Sequence, residues 1–167
     1  MEDFLLQNSA LCWTEIFLHL EALFIVVNGY LFLPKKMNIF IWRLIRKGIP
    51  TRANLCNLGL VNVSEMCSFG EASEEDIDHV FTSCRFTTPL SRGFLNWWNA
   101  VSSASFLAGT AEINMVCLAS RYVLLWLIWQ WRNKIVHDPG DGRSSILKED
   151  ILAEARILSY LWISSRI

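Results

Sequence analysis

Apolar residues recur at helical intervals along most of this chain and alternate almost nowhere. Between Pro34 and Pro50, Met37, Phe40, Ile41, Leu44 and Ile45 form one stripe, which predicts a helix bounded by the two prolines. Thr51 suits the N-cap of a short helix over TRANLCNL that Gly59 ends. Ser73, with Asp76 three residues on, reads as an acidic capping box opening a helix through EEDIDHVFTSC, whose first turn is acidic as the helix dipole prefers. Thr88-Pro89 starts another, PLSRGFLNWWNAV, with Leu90, Phe94, Trp97 and Trp98 close to one face.

Small polar residues over Ser102–Thr110 connect to a long helix ending near His137, and DPGDGRSS is the clearest loop. A last helix, roughly 145–165, carries Leu147, Ile151, Ala155, Leu158 and Trp162 at near-helical spacing. VVNGYLFL is the one good strand candidate, with its Asn-Gly as a hairpin turn. The fold class is therefore mainly α: a small helical domain around a turn-helix, followed by longer packed helices.

The greasiest run, residues 11–33, raises the membrane question. Glu15, His19, Glu21 and Asn28 interrupt it, and the unbroken piece Ala22–Val27 is far shorter than the ~20 residues a span needs. A buried helix is expected instead over Val116–Trp131, which holds Arg121 and several tryptophans. Composition agrees with a real core: 53% of residues are apolar, 19% are charged, and there are eight Trp. A net charge of −1 excludes any global argument for a polyanionic partner, so such an argument must be local. Five cysteines at no pairing interval suggest intracellular thiols or metal ligands rather than a disulfide framework.

Candidate chemistry concentrates in MCSFGEASEEDIDHVFTSC, residues 66–84. Cys67, His79 and Cys84 are ligand-type side chains, one fewer than structural zinc takes. His79 and Cys84 are five positions apart, a little over one helical turn, so both can face one point if the helix ends near Ser83. A reversing turn through Gly70 brings Cys67 within reach. Water, Cys56, Glu71 or Asp78 could supply a fourth ligand. The competing reading is a zinc-free segment with Cys67 and Cys84 as semi-buried thiols. A hydrolytic zinc site lacks a general base here, and no Gly-rich phosphate loop, Ser/His/Asp ordering or zincin helix is present.

Four segments in order extend this picture. Phe40, Trp42 and Arg43 form a Phe-x-Trp-Arg helix after a Lys-rich approach. Pro50, Thr51, Arg52, Asn54 and Leu55 form a Pro-Thr-Arg-x-Asn-Leu turn. His79 and Cys84 form His-x-x-x-x-Cys, and Trp129, Arg132 and Asn133 form Trp-x-x-Arg-Asn. Together they resemble the reverse transcriptase zinc-binding domain of plant LINE-type (non-LTR) retrotransposons, over about residues 33–137. The resemblance implies a structural zinc at Cys67, His79 and Cys84. It departs where the family's Cys-x-x-Cys-Gly stands here as Cys67-Ser68-Phe69-Gly70, one cysteine short, which marks the domain as a degenerate fragment. It also divides the chain into an apolar segment unlike the family, 1–32, the domain itself, 33–137, and a loop with a C-terminal helix, 138–167.

Local charge supplies the partner. Lys35, Lys36, Arg43, Arg46, Lys47 and Arg52 lie between Pro34 and Ser64 with no acid among them, and Phe40 and Trp42 are interleaved. Cations for phosphates and a ring for stacking suit RNA or DNA. The structural alternative puts both rings in the core and the cations on a solvated face. Trp129 is expected to pack between helices, with Arg132 and Asn133 bonding neighbouring backbone. The expected function is a non-catalytic, zinc-binding, nucleic-acid-binding accessory domain. The parent family is an RNA-directed DNA polymerase, but no polymerase-like acidic pair occurs here. Its retroelement parentage points to the nucleus. The alternative is an orphan helical protein, membrane-associated through residues 11–33.

Overall fold

A computed structural model describes residues 34–60, 64–70, 72–104, 111–138, 143–146 and 150–164. The described residues are mainly helical and contain no strand beyond one isolated antiparallel bridge, Met66 to Glu74. The strand candidate VVNGYLFL and the apolar run 11–33 lie outside the described residues. No described helix is long and apolar enough to cross a membrane. Two compact units divide between Gly48 and Ile49.

In the first unit, helix α1 spans Lys35–Ile45. Its expected stripe is real: Met37, Phe40, Ile41 and Leu44 are buried, and Ile45 is half-buried. The helix closes in a Schellman motif, Gly48 N–H donating to Arg43 C=O (2.8 Å) and Lys47 N–H to Leu44 C=O (2.9 Å). Lys47 takes the left-handed position, φ 52°, that glycine usually fills.

The second unit opens with α2, Arg52–Asn57. Thr51 caps it as expected, its Oγ1 accepting from Asn54 N–H at 3.3 Å, and Gly59 ends it at φ +86°. The chain then doubles back through Glu65–Glu75, where Cys67 N–H donates to Ser73 C=O (2.9 Å) and Glu75 N–H to Glu65 C=O (2.8 Å). These bonds overturn the capping-box reading of Ser73. Its carbonyl is committed to the reversing turn, so the following helix starts at residue 77. Asp76 caps it instead, accepting from His79 N–H at 2.6 Å.

Three longer helices complete the unit: α3, Thr88–Ala104, α4, Ala111–His137, and, after the single turn α5 (Arg143–Ile146), α6, Ile151–Ser164. The last helix is thus shorter than its apolar pattern suggested. Asp150 starts it, its carboxylate accepting from Ala153 N–H at 2.9 Å. Leu147 lies outside the described residues. α4 is the hub, packing on α3, α5 and α6, while α3 also meets α6. Its middle is buried on nearly every side, with Tyr122, Val123, Leu124, Leu127, Ile128, Trp129, Trp131 and Arg132 all inside. Ile151 and Ala155 of α6 and Phe94 and Trp98 of α3 close the core.

Candidate metal centre

Two thiols and an imidazole meet in the second unit. The donor atoms of Cys67, His79 and Cys84 lie within 4.8 Å of one another, and all three residues are buried. Cys67 and Cys84 Sγ are 3.9 Å apart, well beyond a disulfide bond. Two thiolates at about 2.3 Å from one tetrahedral zinc would sit about 3.8 Å apart. The donor set and spacing therefore fit the ion. Bound there, zinc would tie the reversing turn to the helical turn that follows.

A local departure from α geometry makes the five-residue spacing work. In an α-helix, His79 and Cys84 would point about 140° apart. Residues His79–Ser83 instead form a π-helical turn, Cys84 N–H donating to His79 C=O at 2.9 Å. The wider turn brings both side chains to one side. Thr87 holds it, its buried Oγ1 donating to Val80 C=O at 2.7 Å, and Thr88 Oγ1 donates to Thr82 C=O at 2.8 Å. Ser83 Oγ lies 3.4 Å from His79 Nδ1, the kind of contact that fixes an imidazole's orientation.

On the other side, Gly70 (φ +99°) closes the Cys67–Gly70 turn, donating its N–H to Cys67 C=O at 3.0 Å. Phe69 points inward, 2% exposed, its ring centroid 4.8 Å from Trp131 and 5.9 Å from Phe86. Glu75, fully buried, gathers the surrounding donors. Its Oε2 accepts from Ser68 N–H (2.7 Å) and Ser68 Oγ, and its Oε1 from Arg52 N–H (3.1 Å) and from Arg132 Nε (3.1 Å) and Nη2. Burial pushes the Glu75 carboxyl up, but the Arg132 bonds and charge and the Ser68 donors together outweigh it and hold it below its ordinary value.

Of the suggested fourth ligands, Cys56 and Asp78 are not in the cluster. Partial burial and the Glu65 and Glu74 carboxylates push the Cys56 thiol up, away from the thiolate a metal needs, and Asp78 is exposed. Glu71 lies outside the described residues.

Arg132 corrects a second expectation. It bonds a buried carboxylate and Asn133 Oδ1 (3.0 Å) rather than backbone, with its guanidinium 4.8 Å from the Trp129 ring centre. Sequence reasoning missed Glu75, Ser68 and Phe69. An arginine inside an apolar helix was the one signal that a buried acid existed, and nothing in EASEEDID singles out which acid.

The basic residues divide. On α1 and its closing turn, Lys35, Lys36, Arg43, Arg46 and Lys47 are exposed, while Arg52 in the second unit is half-buried and donates from Nη1 to Met66 C=O at 3.0 Å. The rings divide too. Phe40 is core at 4% exposure, whereas Trp42 stands 47% exposed.

A helical unit that presents Cys, His and Cys from a turn and the helix after it carries a donor set that could hold zinc. Residues 28–90 match the family model described as zinc-binding in reverse transcriptase. The match is a similarity of this segment, and of no more of the chain, to that family. No curated protein and no solved structure matches the chain.

Proposed function

We propose that the chain carries a non-catalytic accessory domain derived from the reverse transcriptase of a LINE-type retrotransposon, and that it holds single-stranded RNA or DNA along α1. The observation that carries this reading is one exposed face. Lys35, Lys36, Ile39, Trp42, Arg43 and Arg46 are exposed at successive helical intervals, opposite the buried stripe. The face runs about 16 Å at 1.5 Å per residue. Its cations suit consecutive phosphates, and its half-exposed indole suits a base, a stacking contact of about 1–3 kcal/mol. Zinc serves the fold rather than chemistry.

The test is fluorescence anisotropy with labelled single-stranded RNA and DNA across a salt series. Reversing Arg43, Arg46 and Lys47 to Glu should weaken binding at least tenfold and flatten the salt slope, by about 0.7 for each phosphate no longer neutralised. Trp42→Ala should weaken binding while leaving that slope unchanged. Binding indifferent to the triple reversal would refute the reading.

A further inference from the structure

We propose that Glu75 is the positioning residue of the metal centre and that Arg132 completes it, so that zinc occupancy and the seating of α4 are thermodynamically linked. The inference rests on the reading of Cys67, His79 and Cys84 as a zinc site, but it concerns residues that supply no ligand. One of them lies well outside the matched segment 28–90.

Cys67 is held by its turn, and the turn is held by Glu75. Both residues at the centre of the Cys67–Gly70 turn reach α4, directly or at one remove. Ser68 gives both its N–H and its hydroxyl to Glu75, and Phe69 packs on Trp131. The other Glu75 oxygen takes Arg132, the next residue along α4. Adjacent positions of one helix thus grip the turn twice, once by ring packing and once by charge. Glu75 is 0% exposed and Arg132 3%, so neither charge has water to fall back on. Arg52 N–H on the same carboxylate adds the start of α2.

A ligand bound through a turn is only as well placed as the turn. Groups that orient ligands without touching metal change affinity about 10- to 100-fold when altered. Linkage makes the effect reciprocal: what weakens zinc when α4 is perturbed must loosen α4 when zinc leaves. Two N–H groups of Arg132 converge on the one oxygen Glu75 Oε1, a fork that the point charge of lysine cannot replace, and glutamine at 75 keeps the shape but not the charge.

The experiment uses the full chain and zinc itself. Zinc affinity is measured by competition with a chromophoric chelator for the wild type, Glu75→Gln, Arg132→Lys and the control Ile151→Ala. Ile151 is 2% exposed on α6, so its truncation destabilises the helical core without removing a hydrogen-bond partner of Glu75 or a ring partner of Phe69. Affinity should fall about 10- to 100-fold in the first two variants and stay within about threefold in the control. Hydrogen exchange on the wild type needs no variant: amides of residues 128–135 should lose protection when zinc is stripped. Affinity equal to wild type in both variants, or exchange indifferent to zinc, overturns the linkage and leaves the zinc site standing. No zinc bound by the wild type removes the site, and the linkage with it.

Discussion

Truncating Phe69 to alanine tests whether the reversing turn is part of the core or a loop laid on it. The ring is 2% exposed, with Trp131 at 4.8 Å and Phe86 at 5.9 Å between centroids. A buried aromatic removes about 150–250 Å² from water, which at about 25 cal/mol/Å² is roughly 4–6 kcal/mol for the whole residue. Alanine keeps a share of that, and core Phe→Ala changes cost about 3–5 kcal/mol once the cavity is included. The expected loss is therefore about 4 kcal/mol. At about 0.05–0.15 kcal/mol per residue, the unit beginning at Ile49 holds roughly 6–18 kcal/mol, so the variant gives up about a fifth to two thirds of its stability. Guanidinium unfolding followed by circular dichroism, with zinc and with chelator, reads the change. Phe69→Leu should recover most of it. A loss under about 1 kcal/mol in Phe69→Ala would mean the turn does not depend on α4, and the packing argument for the metal centre would fail.

Two further changes probe groups near and away from the centre. Thr87→Val keeps the shape but leaves the buried Val80 carbonyl without its 2.7 Å donor, so stability should fall by about 1–3 kcal/mol in thermal melts and Thr87→Ser should restore it. A Thr87→Val protein as stable as wild type would show the π-turn holds without that bond. Tyr122 is 1% exposed with no partner for its hydroxyl among the described residues, and burial pushes its pKa up from 10.0 to about 12. Because the folded value is raised, its contribution is complete below pH 10 and is lost as pH rises toward 12. Tyr122→Phe should therefore gain about 1 kcal/mol at neutral pH and lose less stability above pH 10, as alkaline unfolding curves would show. Equal alkaline profiles for the two proteins would refute the assignment.

Much of the fold was legible in the chain because it is written locally. The α1 stripe, the Thr51 cap, the Gly59 stop and the Thr88-Pro89 start each depend on residues within a few positions of one another. The capping box failed for the opposite reason. Ser73 had the right side chain, but Cys67 N–H, six residues away, claimed its carbonyl for the turn, and no local pattern encodes that claim. The long boundary of the last helix failed similarly, since Asp150 rather than apolar spacing sets its start. Three metal-type residues were visible as chemistry. The π-turn that lets a five-residue spacing converge was not, because π and α turns share one apolar pattern. The charge pattern paired Trp42 with Phe40, but helical periodicity put Phe40 on the apolar stripe and Trp42 off it. Burial follows the periodicity, with the indole facing solvent and the Phe40 ring filling the core.

The arrangement also gives a physical reason for a short stretch of metal-type ligands to sit on a large helical unit. A turn of this size buries too little apolar surface to hold two thiols and an imidazole in place. The chain supplies the missing order from α4, whose Trp131 and Arg132 meet the turn side by side through Phe69 and Glu75. Such an arrangement has a physical cost. An arginine and a glutamate buried together stabilise little relative to an apolar pair, yet removing either partner leaves a charge stranded. What the pair does provide is direction, since a fork on a carboxylate fixes angle as well as distance. Direction is what a ligand-bearing turn requires, and a purely apolar contact between Phe69 and α4 would leave the turn able to pivot about the ring.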